Sequence, residues 1–119
     1  MNILIIYHRV DFDGLFSGSI ARKYYSEVEG IEPQFLGWNY GDNLPGADYL
    51  LSFDKVVMVD ISFPPEVMKV LGDSGKLVWI DHHDTAITNS INYGYSEVPG
   101  LRTNGIAACE LCWQFFYPG

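Results

Sequence analysis

With 119 residues, 48% of them hydrophobic and 18% charged, the sequence describes one domain with enough apolar material for a packed core, which excludes an intrinsically disordered chain. Seven Lys and Arg against fifteen Asp and Glu leave a formal charge of −8, which excludes a broad basic surface for duplex DNA. No run approaches the roughly 18 apolar residues of a membrane span, the start lacks the basic n-region of a signal peptide, and two cysteines make no disulfide framework, so the expectation is a cytoplasmic protein without a membrane partner.

The first apolar run, Ile3 to Tyr7, does not alternate with polar residues, which is the pattern of a strand buried on both faces. A helix is predicted over Asp13 to Val28, with Leu15, Phe16, Ser19, Ile20, Lys23 and Tyr24 on its buried stripe. Gly14, Ser17, Gly18 and Ala21 are small enough to let it lie close to a sheet, and Asp13 can cap its start. Gln34 to Trp38 is a second strand, and Asn39 to Ser52 reads as a loop with a short helix in it. Val56 to Val59 is a third strand. Pro64-Pro65-Glu66 then starts a helix that should run to Leu71 and stop at Gly72. Leu77 to Ile80 is the fourth strand. Residues 85–102 carry no readable pattern, and Ile106 to Tyr117 closes the chain as a helix that is apolar on nearly all sides. The order of elements argues for an α/β fold, three layers deep, with a mostly parallel sheet. The last helix expects to be covered, which favours association, a homo-oligomer included.

The polar residues that follow the strands carry the chemistry. His8, Arg9, Asp11 and Asp13 follow the first, Asp60 the third, and Asp81-His82-His83-Asp84 the fourth. Ligands of open parallel sheets bind beyond the carboxyl ends of the strands, so these ends would gather His8, Asp11, Asp13, Asp60, Asp81, His82 and His83 in one crevice. So many carboxylates together repel one another unless cations or shifted pKa values compensate. Mixed imidazole and carboxylate donors suit Mn, Fe, Co or Zn better than Ca. Two ions about 3.5–4 Å apart, bridged by Asp60, would use this many donors. No thiolate is near, which argues against a closed structural zinc site. An acidic chain can then still bind an anion, because bound cations invert the local charge.

His8-x-x-Asp11-x-Asp13-Gly14, Asp60 behind an apolar strand, and Asp81-His82-His83 together resemble the first three motifs of the DHH phosphoesterase superfamily. That superfamily includes manganese-dependent pyrophosphatases, RecJ-like exonucleases, oligoribonucleases and cyclic-dinucleotide phosphodiesterases. The resemblance spans residues 3–117. It implies two divalent ions, Mn²⁺ first, with Mg²⁺ or Co²⁺ as substitutes. His8 and Asp11 would bind one ion, Asp13 and His82 the other, and Asp60 would bridge them. Asp81 would orient a ligand histidine from behind, and His83 would face the substrate phosphate as donor or acid. The implied reaction is attack on phosphorus by a metal-activated water. Its substrates would be phosphodiesters of short single-stranded oligonucleotides or nucleotide-derived molecules, or alternatively inorganic polyphosphate or pyrophosphate.

The resemblance also implies a fourth motif, an aspartate further along. After Asp84 the only acids are Glu97 and Glu110, so the chain is expected to be the N-terminal metal-binding part of a longer enzyme, weak or inactive alone. Arg9 and Arg102 are candidate phosphate contacts, each more often a surface arginine. Cys109 and Cys112 match C-x-x-C, but inside an apolar helix they read as core. Trp38-Asn39-Tyr40 could stack a base, with packing the commoner role of such aromatics. A non-catalytic α/β module resembling a receiver domain is the alternative of another class. It would need a lysine at the acidic pocket, and Lys55 and Lys76 stand at strand starts, on the opposite edge.

Overall fold

A computed structural model of the chain describes residues 1–119. Strands β1 (Ile3–His8), β2 (Gln34–Trp38), β3 (Lys55–Val59) and β4 (Leu77–Ile80) form one all-parallel sheet in the order β2-β1-β3-β4. Helices α1 (Phe12–Glu27) and α5 (Ala108–Phe116) cover one face. Helices α2 (Ala47–Leu51), α3 (Pro65–Asp73) and α4 (Asp84–Tyr93) cover the other. The fold is the expected three-layer α/β/α arrangement.

The lack of alternation in the strand sequences follows from this burial. Successive side chains point to opposite faces of a strand, and here both faces are core. Leu4, Ile6, Val56, Met58, Leu77 and Trp79 join one apolar cluster. Ile3, Ile5, Val57, Val59, Val78 and Ile80 join the other.

Helix α1 turns a different face to the sheet than its apolar residues suggest. Gly14, Ser17, Gly18, Ala21 and Tyr25 are buried, while Leu15 and Phe16 are exposed. The cause is close approach. A Cβ on Gly14 would stand 1.8 Å from the His8 carbonyl oxygen, and one on Gly18 would stand 3.3 Å from the Tyr7 side chain. Along the first turns only small residues fit against β1, so Leu15 and Phe16 face outward, and a large side chain, Tyr25, is buried only near the far end of the helix. The cap also differs from expectation. Asp11, with extended backbone, accepts the Gly14 N–H at 2.8 Å and is the N-cap of α1, which leaves Asp13 free for another task.

The expected third helix ends two residues later than Leu71, at Asp73, and the last begins at Ala108 rather than Ile106. The short helix anticipated in residues 39–52 is α2. Helix α4 is not legible in its sequence. Asp84 to Tyr93 is rich in Thr, Asn and Ser, which prefer turns to helix interiors. It buries only Ala86 and Ser90 and ends on Gly94, whose φ of 82° is the left-handed cap that glycine adopts freely.

Beyond α4 a strap runs along the outer edge of β4. Trp79 N–H donates to the Pro99 carbonyl at 2.9 Å, Asp81 N–H donates to Leu101 at 3.2 Å, and Asp81 and Arg102 form a parallel bridge. Gly100, with φ 139°, lies where a Cβ would meet the Trp79 carbonyl oxygen at 1.8 Å. The strap satisfies the hydrogen-bonding groups of an edge strand.

Candidate metal centre

Strand register assembles the site. Tyr7, Val59 and Ile80 lie abreast in β1, β3 and β4, so the next residues, His8, Asp60 and Asp81, leave the sheet side by side. Asp60 is the only non-glycine residue with positive φ, at 59°. That conformation is disfavoured for a side chain with a Cβ, and it marks the point where the chain turns out of β3 with a carboxylate at its tip.

Asp60 is 1% exposed, and neither of its carboxylate oxygens has a hydrogen-bond partner. Its Oδ2 lies 3.6 Å from His8 Nδ1 and its Oδ1 lies 3.0 Å from His82 Nε2. His8 Nδ1 is also buried without a hydrogen bond, 3.6 Å from Asp11 Oδ2. Buried polar groups are rarely left this way in a folded protein. His8, Asp11 and Asp60 bring one donor atom each to within 4.8 Å of one another, and Asp60, Asp81, His82 and His83 do the same. Asp60 belongs to both groups. Asp13 Oδ2 lies 3.5 Å from His82 Nε2, next to the second group. Unpartnered oxygens of a buried carboxylate, between two imidazoles and flanked by further carboxylates, are the donor set that divalent cations of the Mn, Co or Zn type accept. The residues fit a pair of ions that share Asp60.

The ionisation of these groups agrees. Burial, then the nearby charges of Asp13 and Asp11, push the Asp60 carboxyl up to about 7, against the opposing pull of His82 and His83. Cations would remove that penalty. Partial burial alone would raise Asp13, but the N–H groups of Cys109 and Ala108 and the Cys109 thiol hold it below the usual carboxylate range.

The partners behind the donors fix their orientation. His8 Nε2–H donates to Asn39 Oδ1 at 3.0 Å, which leaves Nδ1 as the lone-pair nitrogen facing Asp11 and Asp60. Asp13 accepts Cys109 N–H at 2.8 Å and Ala108 N–H at 3.0 Å, so it caps α5 rather than its own helix. A carboxylate has further lone pairs for an ion beyond those two bonds. Asp81 Oδ1 accepts both the His82 N–H at 2.8 Å and His83 Nδ1–H at 2.6 Å. Its imidazole partner is therefore His83. The bond to Asp81 raises the pKa of His83, against partial burial. Tyr40 stands edge-on to His8 and His83, at ring distances of 5.5 and 6.3 Å. Its phenol is pushed up to about 12, chiefly by desolvation, and stays protonated.

The seven residues expected in one crevice, His8, Asp11, Asp13, Asp60, Asp81, His82 and His83, do lie together. The two arginines are engaged elsewhere. Arg9 makes a two-pronged pair with Asp42 at 3.0 and 3.1 Å. Arg102 turns away from the centre. It donates to the carbonyls of Trp79, Ser96 and Val98 and lies 5.0 Å from the centre of the Trp79 ring. Cys112 is buried in the core, with its thiol pushed up to about 12 by burial, as the packing reading of C-x-x-C expects, whereas Cys109 is only partly buried and turns its thiol to Asp13. Trp38 is likewise buried and packs edge-on to Phe63 at 4.8 Å. Lys55 opens β3 and Lys76 precedes β4, at the end of the sheet away from the carboxylates, so the lysine that a receiver-type pocket would need is not there.

Sequence reasoning missed Asn39 as the partner of His8 and the start of α5 as the partner of Asp13. Asn39 carried a usable signal, since it follows β2 directly and β2 neighbours β1. The contact between Asp13 and α5 spans more than 90 residues and left no local trace.

Comparison with curated proteins and with solved structures gives no match. The family model described as "DHH family, N-terminal domain" matches residues 2–117, nearly the whole chain. With its three motifs converging on one centre, the chain belongs to the DHH family of phosphoesterases, through that family's N-terminal domain.

Proposed function

We propose that this domain is the metal-binding half of a hydrolase that cleaves phosphodiester bonds in short oligonucleotides or nucleotide-derived substrates. The observation that carries the reading is Asp60, a buried carboxylate with both oxygens unpartnered and an imidazole beside each. His8 and Asp11 would hold one ion, Asp13 and His82 the other, and Asp60 both, with Mn²⁺ the preferred metal. When bound, such ions neutralise phosphate charge and make water acidic enough to act as a nucleophile near neutral pH.

The chain's own groups do the rest. Asn39 fixes the tautomer of His8 so that its lone pair faces the acids. The N–H groups of α5 hold the Asp13 carboxylate ionised and in place. Asp81 anchors His83 through Nδ1, which leaves Nε2 of a ring with raised pKa to donate a hydrogen bond or a proton to a phosphate or leaving oxygen. This reading also needs a cation to grip the substrate, which residues 1–119 do not place at the centre, since Arg9 is paired with Asp42 and Arg102 with carbonyls.

Calorimetric titration with Mn²⁺ tests the proposal. Two ions bound by the chain and both lost in Asp60→Asn is the expected result. Unchanged Mn²⁺ affinity in the variant would remove the bridging role, and no binding by either protein would leave a non-catalytic module. Substrate class is decided by hydrolysis of a dinucleotide beside tripolyphosphate by the full-length enzyme, where preference for tripolyphosphate would make inorganic polyphosphate the substrate in place of nucleotides.

A further inference from the structure

Next to the centre a cavity of about 470 Å³ opens between the turn after β2, the turn after β3 and the first turns of α4. This size is in the range of small-molecule sites, roughly 300–1,000 Å³. Trp38, Ser62, Phe63 and Ala86 are the buried residues among its lining. Tyr40, half exposed and 6.0 Å from the Trp38 ring, lines it together with Pro64. His83 belongs both to this cavity and to the metal centre, so whatever occupies the one adjoins the other.

The chemistry of the lining selects the occupant. None of the 11 lining residues is a lysine, an arginine or an acid. A polyphosphate chain there would lose its hydration with His83 the one lining side chain able to carry a positive charge, which is costly for multiple charges. A flat uncharged ring meets the opposite conditions: aromatic and proline surfaces against which it can stack or pack, and the half-buried carboxamide of Asn89, which offers both a donor and an acceptor to a ring edge.

We infer that this cavity, lined by Tyr40, Pro64, Ala86, Asn89 and His83, is a nucleobase subsite for the nucleotide whose phosphate lies at the metal centre. The inference rests on the phosphoesterase reading for the position of that phosphate. It adds a recognition element for the organic part of the substrate, and it favours nucleotides over inorganic polyphosphate.

The test separates the subsite from the centre. Adenosine, ribose 5-phosphate and tripolyphosphate are titrated in turn against the full chain without Mn²⁺, followed by amide chemical shifts, and Mn²⁺ binding is measured separately by calorimetry. Adenosine should shift the signals of Tyr40, Ala86 and Asn89, and the other two should not. Asn89→Ala, which removes the edge contact, and Thr85→Trp, which places a bulky ring at an exposed position on the rim, should each weaken adenosine binding by roughly tenfold, the scale of losing one base contact, with Mn²⁺ affinity unchanged. Absence of adenosine shifts while two Mn²⁺ ions bind would overturn the subsite and leave the metal centre standing. Equal shifts from tripolyphosphate would overturn the selection for a ring. Adenosine shifts in a chain that binds no Mn²⁺ would retain a ring-binding cavity but remove its link to a reacting phosphate, and with it the inference as stated.

Discussion

Arg102 and Asp60 are both charged side chains drawn into the protein, and their surroundings could hardly differ more. Arg102, at the strap beside β4, gives its guanidinium to three backbone carbonyls and rests against Trp79. Burial lowers its pKa, yet both terminal nitrogens of the guanidinium find carbonyl acceptors. Asp60, one strand away, is more deeply buried and has no hydrogen bond to either oxygen. A buried charge must be matched by something, or it costs several kcal/mol. Arg102 is matched by the chain itself, so its role is complete in the fold. Asp60 has only the His8 and His82 ring nitrogens beside it, at 3.6 and 3.0 Å and without a hydrogen bond, so the rest of its match is left to what the protein would bind. The comparison separates a structural charge from a functional one without reference to family.

The largest effect is expected where the mismatch is greatest. Asp60→Asn should lower Mn²⁺ affinity by at least about a thousandfold, ~4 kcal/mol, and at the same time stabilise the metal-free protein. The sign follows from linkage. In the folded chain the Asp60 carboxyl is raised to about 7 from an ordinary value of 3.8. A raised carboxyl contributes stability that is full below pH 3.8 and is lost as pH rises through 7, where the folded state must carry the buried charge. The asparagine variant has no such charge. Its unfolding free energy should match the wild type near pH 4, exceed it progressively up to pH 7, and stay higher by on the order of 1–3 kcal/mol above that, with the melting temperature following. His83, whose raised pKa tilts stability the same way, owes part of that rise to Asp60, so the difference between the two melting curves reports Asp60 together with its coupling to His83. Equal melting temperatures at pH 8 would mean that Asp60 is matched within the protein after all.

Arg102→Leu should give the reverse signature. The apolar surface against Trp79 is largely kept, but three carbonyls lose their donor. Each unsatisfied buried acceptor costs about 1–3 kcal/mol, less where water reaches it, so denaturant unfolding should show a loss of about 3 kcal/mol. Mn²⁺ affinity should not change. A variant that folds as well as the wild type but loses Mn²⁺ would move Arg102 to the functional side of the comparison.

The same contrast explains what the sequence could disclose. Apolar runs make β1, β3 and β4 readable, because burial on both faces writes itself into consecutive residues, whereas the edge strand β2, QFLGW and largely exposed, is readable only from Pro33 and Asn39 at its bounds. The strand-end rule then places His8, Asp60 and Asp81 together before any geometry is known. Helix α1 is located within one residue at each end, but its buried face is misread, since an exposed Leu15 and Phe16 outweigh Gly14 and Gly18 in any apolar count while the sheet requires the glycines. Helix α4 is invisible because tertiary contacts around Ala86 and Ser90, not propensity, hold it. The role of Arg102 is equally hidden. Three carbonyl partners at Trp79, Ser96 and Val98 depend on how the strap folds back on β4, and nothing local to Arg102 distinguishes it from a phosphate-binding arginine.

Asn39 lies between the two extremes and gives the finest test. Its side chain touches the site only through His8 Nε2, while its backbone N–H, 2.9 Å from Asp42, fixes the turn independently of the carboxamide. Asn39→Leu should therefore leave folding nearly unchanged, yet free His8 to protonate Nδ1 and point a hydrogen where a lone pair is needed. Groups that orient metal ligands typically contribute 10–100-fold to metal affinity, which is the expected loss in calorimetry, smaller than that of Asp60→Asn. The tautomer gives a readout that packing alone would not move. Nitrogen-15 shifts of the His8 ring in the metal-free wild type should report protonation at Nε2, and the variant should shift toward Nδ1. Reduced Mn²⁺ affinity with an unchanged tautomer would mean that Asn39 acts on the position of the ring instead. Unchanged affinity with a switched tautomer would show that His8 is not a ligand, and would take one end of the proposed centre away while Asp60, still unmatched, would need another partner.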